Sequence, residues 1–148
     1  MGDVRLMDIS EAAYIAGIVD GEGTITLTRT HRGENRRPIV SIANTERQLL
    51  EYVQSVIGAG RITSKCIARR HHSPSFTYAV SSRSALTLLE QITPFLRTYK
   101  RERAQLLLRE YLQVTPRNGK YTADQEWARQ EFEARFFRIS VRAQNVPR

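Results

Sequence analysis

Hydrophobic positions change their spacing several times along the chain, and each change marks an element. Ala12, Ile15, Ile18 and Val19 recur at helical spacing, with Ser10 as a suitable N-cap and Glu11 in the first turn. Residues 24–32 then alternate, Ile25 and Leu27 against Thr24, Thr26, Thr28 and Thr30, the period of a half-buried strand. The stretch His31-Arg32-Gly33-Glu34-Asn35 reads as a turn, and a second strand covers about 37–43. Thr45-Glu46-Arg47-Gln48 has the spacing of a capping box. It opens a helix with Leu49, Leu50, Val53, Val56 and Ile57 inward, closed by Gly58 and Gly60. Two more strands are expected at about 61–69 and 75–81, with Ile62, Ser64 and Cys66 inward on the first of them. Ser82 is positioned to cap a helix carrying Ala85, Leu86, Leu89 and Ile92, which Pro94 interrupts. Leu106, Leu107, Tyr111 and Leu112 mark the next helix, and 116–119 a turn. A second capping box, Thr122 to Gln125, leads into Trp127, Ala128, Phe132 and Phe136. The order is αββαββα with extra C-terminal helices: an α+β chain of one domain over 1–148, with about 137–148 read as a flexible basic tail. No internal repeat or interdomain linker is visible.

The end of the first helix departs from ordinary helix chemistry. Asp20 and Glu22 stand among Gly21 and Gly23, where the helix carries partial negative charge and cations are preferred. Something must compensate, and a bound cation is the simplest candidate. Ala13, Gly17 and Gly21 recur every four residues and form a nearly bare stripe. A glycine inside a helix costs about 1 kcal/mol relative to alanine. The stripe is therefore expected where another backbone comes very close. A buried core helix that happens to hold glycines is the alternative, and the acids at the end of the stripe weigh against it.

Charge narrows the partner. Net charge is +8 and the pI about 10.2. Of the basic residues only Lys65, Lys100 and Lys120 are lysine; the rest are arginine, suited to bidentate contact with phosphate and guanine. Charge alone also fits a solvated basic surface. No apolar run reaches membrane-spanning length, and Asp3 and Arg5 do not read as a signal peptide. An intracellular location is expected (cytoplasm, nucleoid or organelle), with no membrane partner and no small-molecule substrate. The single cysteine, Cys66, excludes a disulfide framework, and His31, His71 and His72 match no usual zinc spacing.

Ile15-Ala16-Gly17-Ile18-Val19-Asp20-Gly21-Glu22-Gly23 resembles the LAGLIDADG motif of homing endonucleases position by position, with Ile for Leu and Glu for the second Asp. One copy is present, as in the homodimeric subgroup. The resemblance implies that two motif helices pack together through Ala13, Ala16, Gly17 and Gly21 and bring their acidic ends side by side. It implies an antiparallel four-stranded saddle lying on duplex DNA. The strand faces suit that role: Thr24, Thr26, Thr28, Thr30 and the turn residue Arg32; Arg37, Ile39 and Ser41; Arg61, Thr63, Lys65 and Arg69; and Thr77, Ala79 and Ser81. A threonine face also suits an ordinary solvated sheet. Strands of this length follow roughly eight to eleven base pairs, and a twofold dimer about twice that, on a nearly palindromic site.

By the same resemblance Glu22 is the metal-ligating acid, the Gly21 carbonyl a main-chain ligand, and Lys100 a basic residue near the scissile phosphate. The Lys100 alignment needs a one-residue shift, so Arg101 or Arg97 could take that role. Asn44 falls where several members place a water-positioning glutamine, or simply begins a helix. Asp20 is expected to support the turn rather than to bind metal. The implied cofactor is Mg2+, with Mn2+ or Ca2+ as possible occupants. The implied activity is hydrolysis of both strands with short 3′ overhangs by an intron-encoded type of enzyme. A non-cleaving DNA-binding regulator or an intron RNA maturase on the same scaffold is the alternative.

Overall fold

The computed structural model describes residues 3–65 and 74–144; Cys66, Arg69, His71 and His72 lie outside the described residues. Helix α1 spans Ile9–Glu22. Asp8, not Ser10, is its N-cap. The Asp8 carboxylate accepts the Glu11 amide at 2.8 Å, and Glu11 returns a carboxylate to the Asp8 amide at 3.1 Å. Ser10 donates its hydroxyl to the same Asp8 carboxylate at 2.7 Å. A carboxylate that accepts several donors is the stronger cap. The Glu11 amide, followed by the Ser10 hydroxyl, holds the Asp8 carboxyl below its ordinary range.

Strand β1 (Gly23–Thr28) follows α1 with no intervening loop and pairs with β2 (Arg37–Asn44). It is shorter than the alternation in the sequence predicts; Thr30 lies in the turn region beyond it. Helix α2 (Arg47–Ile57) begins without the expected capping box, because Asn44 Oδ1 takes the Glu46 amide at 2.7 Å in an Asx turn instead. Gly58 ends it in the left-handed conformation, at φ 83°. Strands β3 (Arg61–Lys65) and β4 (Ser75–Ser81) complete one antiparallel sheet of order β1-β2-β4-β3.

Helix α3 (Ser82–Ile92) follows β4 directly: Ser81 takes the N-cap position, and Ser82 turns the chain into the helix in the left-handed conformation at φ 58°. A 3-10 turn at Thr93–Phe95 accommodates Pro94. Helices α4 (Lys100–Glu110) and α5 (Ala123–Arg138) follow. The box expected at the start of α5 forms: Thr122 Oγ1 accepts the Gln125 amide at 3.2 Å, and Gln125 Oε1 accepts the Thr122 amide at 2.9 Å. Part of the segment read as a tail is helical: α5 continues to Arg138 and a short α6 spans Val141–Gln144. Phe132 and Phe136 explain this, because both are fully buried and anchor the last turns of α5.

The core lies between one face of the sheet and the helices. Ile25, Val40, Ile42, Tyr78 and Val80 point into it from the strands, with Ile15, Val19, Leu50, Ile57, Leu89 and Ile92 from α1, α2 and α3. Each fully buried aliphatic of this kind contributes about 1.5–3 kcal/mol. Helix α1 covers β1 and β2, α3 covers β2 and β4, α2 covers β2, β3 and β4, and α4 closes over β1. Ser64, expected inward, is exposed near the end of β3. Among the described residues no helix is long and apolar enough to cross a membrane.

Candidate active site and nucleic-acid interface

The two acids at the end of α1 have different surroundings. Asp20 is half-buried, and its carboxylate accepts the Arg97 amide at 2.8 Å, the Thr98 amide at 3.1 Å and the Thr98 hydroxyl at 2.6 Å. Asp20 therefore ties α1 to the segment before α4. Lys100 adds a second tie. Only 8% exposed, it donates from Nζ to the Val19 carbonyl at 2.8 Å and the Asp20 carbonyl at 2.9 Å. An internal ammonium thus supplies much of the positive charge that the helix end requires. Burial pulls the Lys100 pKa below its ordinary value, and the Asp20 charge pushes it back up. The exposed Arg97 and Arg101 flank this clamp in sequence.

Glu22 is exposed. Its Oε2 accepts Asn44 Nδ2 at 2.6 Å, across the root of the β1–β2 hairpin. Asn44 thereby joins the acid to the start of α2, since its other side-chain atom holds the Glu46 amide. Gly23 makes this junction possible, a role the motif pattern did not single out. A Cβ there would lie 2.7 Å from Val19 Cα and 3.2 Å from the Ser41 carbonyl oxygen. Backbone cannot yield as a side chain can, so only glycine lets β1 start this close beneath α1. Among the described residues no group of three or more His, Cys, Asp or Glu could hold a metal ion. The chain offers the Glu22 carboxylate and, adjacent in sequence, the Gly21 carbonyl in the last helical turn. That oxygen-only set fits Mg2+, which takes one or two carboxylates and keeps several waters.

The stripe on α1 opens outward. Ala13, Gly17 and Gly21 are exposed, and a Cβ added at Gly17 or Gly21 would meet nothing within 4 Å. Ala16, expected on this edge, does not belong to it. It is fully buried against the subunit's own core, one residue around the helix from Gly17. The open edge forms a shallow depression bounded by Tyr14, Ile18, Glu22 and Leu49. Tyr14 on its border meets Tyr52 ring edge to face at 5.7 Å, and both are substantially exposed. Neither tyrosine was singled out by the sequence pattern, which followed the glycines.

The sheet face away from the helices collects the strand residues expected to be polar. Thr24 lies opposite Ser41, Thr26 opposite Ile39, and Thr28 opposite Arg37. Ser41 is opposite Ala79 and Ile39 opposite Ser81. Arg61 is opposite Ala79, and Thr63 opposite Thr77. Directly opposed residues share a face, so these positions form one continuous surface beginning next to Glu22. Thr30 and Arg32 are exposed beyond β1, with Arg37 reaching the Thr30 hydroxyl at 3.5 Å. The side chain of Lys65 and the whole of Arg69 lie outside the described residues.

The fold is similar to solved homing endonucleases. The structure of I-CvuI in complex with its target superposes with a TM-score of 0.71 at 20% identity, covering 90% of this chain and 84% of that one. An archaeal intron-encoded homing endonuclease complexed with DNA gives 0.59 at 19% identity, over 88% and 84% of the two chains. The meganuclease I-SmaMI, bound to uncleavable DNA, gives 0.58 at 18% identity, and there 83% of this chain matches 43% of that one. No curated protein matches the sequence. The model of the LAGLIDADG-like domain matches residues 10–93, more than half of the chain, from α1 through α3, and the chain belongs to that family.

Proposed function

We propose that the protein is a site-specific DNA endonuclease that acts as a homodimer and cuts both strands of a long, nearly palindromic duplex. The observation that carries this reading is the contrast at the end of α1. Asp20 and Lys100 are engaged in holding the helix, while Glu22 remains exposed beside an open helical edge and a polar sheet face. Family membership and the DNA complexes of similar folds support it. Solved I-CvuI complexes include one with Ca and one with Mg in which the DNA is not cleaved.

In this reading two copies meet along Ala13, Gly17 and Gly21, and their Glu22 carboxylates face each other. Two carboxylates so placed repel unless a cation lies between or beside them, which links pairing to metal demand. Glu22 and the Gly21 carbonyl would hold the metal, which when bound activates water and stabilises the leaving oxygen. Asn44 holds the Glu22 carboxylate by one oxygen and leaves the other available. Lys100 is a positioning residue that fixes the helix end, and Arg97 and Arg101 are the exposed cations nearest to it along the chain for contact with phosphate. Thr24, Thr26, Arg37, Ser41, Arg61 and Thr77 on the sheet face would read the major groove.

Selection of cleaved sites from a random duplex library with Mg2+, repeated with Glu22→Gln, tests the reading. The expected result is a single enriched site for the wild type, with the variant binding that site and not cutting it. Cutting that persists in Glu22→Gln would remove this active site. Binding without cutting by the wild type would identify the regulator or maturase instead.

A further inference from the structure

The family match ends at residue 93, so nothing there accounts for α5. Its most buried polar side chain is Arg129, 1% exposed. The guanidinium donates to the Thr115 hydroxyl at 2.7 Å and to the Tyr121 hydroxyl at 3.3 Å. It lies 5.0 Å from the Tyr111 ring centroid. Its other terminal nitrogen leaves α5 altogether and donates to the backbone carbonyl of Arg36. Arg36 immediately precedes β2, at the end of the β1–β2 hairpin farthest from Glu22. Two further contacts reach the same residue: the Arg36 guanidinium is 3.7 Å from the Glu133 carboxylate and 5.3 Å from the Phe137 ring centroid. Midway along the hairpin, Arg103 of α4 donates to the Ile25 carbonyl at 2.9 Å and to the Ile139 carbonyl at 2.8 Å.

A charged arginine in the core is costly unless an opposite charge and hydrogen bonds compensate it; the Glu133 carboxylate lies 3.9 Å from Arg129 Nε, which itself has no hydrogen-bond partner. Here Arg129 ties to α5 the hairpin end that runs beyond the last β2–β4 pair, Ile39 with Ser81. From Gly23 to Thr28 the hairpin extends about 17 Å, or about five base pairs of duplex. A small tilt at its root would move the tip by a large fraction of a base step.

We propose that Arg129 is a positioning residue that fixes the tip of the β1–β2 hairpin, so that α5 sets discrimination at the outer base pairs of each half-site. This rests on the function proposed above. The chemistry suits arginine in particular. A planar fork can satisfy the Arg36 carbonyl and the Thr115 hydroxyl together, whereas a lysine ammonium is a single point that reaches one or the other.

The test compares the wild type with Arg129→Met, Arg129→Lys and the remote core variant Leu50→Ala. Cleavage is measured on half-sites substituted one base pair at a time, and amide hydrogen exchange on residues 29–36 of the free protein. For both Arg129 variants, discrimination at the outer positions should fall at least about tenfold, the size of one good base contact. Positions next to the cut should keep theirs, and exchange in 29–36 should quicken while α1 is unchanged. Leu50→Ala should lower stability with the same positional profile as the wild type. If Arg129→Met does not fold, Arg129→Lys carries the test. A uniform loss at every position, or an unchanged profile in a folded Arg129 variant, overturns the proposal. A wild type that discriminates nowhere removes the functional reading and leaves the exchange result standing. Unchanged exchange removes the brace whatever the DNA data show.

Discussion

The two sides of α1 both carry small residues and meet different fates. The inner side, Ala12, Ile15, Ala16 and Val19, is buried within the subunit. The outer side, Ala13, Gly17 and Gly21, is exposed, with empty space where a Cβ would stand. Small residues allow close approach in both places, yet only the inner approach is completed by the chain itself. A close contact inside a subunit can be read from its own packing. In the proposed dimer, the contact with another copy would show in one chain only as an edge that nothing fills.

Substitutions on the two sides should separate most in subunit stability. Ile15→Ala opens a cavity on the inner side and should cost about 2–5 kcal/mol, read by denaturant unfolding. Gly23→Ala forces β1 away from Val19 and should cost about 1–3 kcal/mol, with loss of cutting as Glu22 shifts. An alanine accepted there with full activity would show that the α1–β1 junction is not tight. Lys100→Met strips the Val19 and Asp20 carbonyls of a donor and should cost about 1–3 kcal/mol. Cutting should fall along with stability in that variant, whereas a pure phosphate contact would lose cutting alone.

On the outer side the sign reverses. Gly17→Ala should leave subunit folding unchanged or raise it by up to about 1 kcal/mol, because nothing in the subunit obstructs it. Gly17→Leu should fold equally well and sediment as a monomer. A dimer mass unchanged by leucine would rule out this edge as the interface.

The smallest expected effect serves as a control remote from both sides. The Arg135 hydrogen bond, outweighing burial, holds the Glu110 carboxyl below its ordinary value. A depressed folded pKa gives stability that is full above the unfolded value and is lost as the pH falls through the folded one. Glu110→Gln should therefore flatten the acid limb of the stability curve by under about 1 kcal/mol and leave neutral-pH self-association alone. A change in dimer mass would mean that α4 and α5 reach the interface.

Much of the fold was legible because burial imposes periodicity. Alternation located β1 and β2, and the Thr122 box placed the start of α5. Local chemistry competed elsewhere. Asp8 displaced Ser10 as a cap, and Asn44 displaced the box at 45–48 by taking the Glu46 amide. Asn44 was singled out for the site, but its bond to Glu22 joins residues far apart in sequence and has no local signature. Arg129 was not singled out, because nothing in the spacing tells a solvated arginine from a buried one.

The sequence by itself determined that an apolar helix ends in two acids among glycines and is followed by paired strands with one polar face. It determined this because those features repeat at the period of the backbone. Only the tertiary structure decided which groups engage Asp20, that Lys100 closes the helix end, and that Ala16 faces inward while Gly17 faces out. These outcomes depend on which distant groups arrive within hydrogen-bonding or packing reach, and no local pattern encodes that.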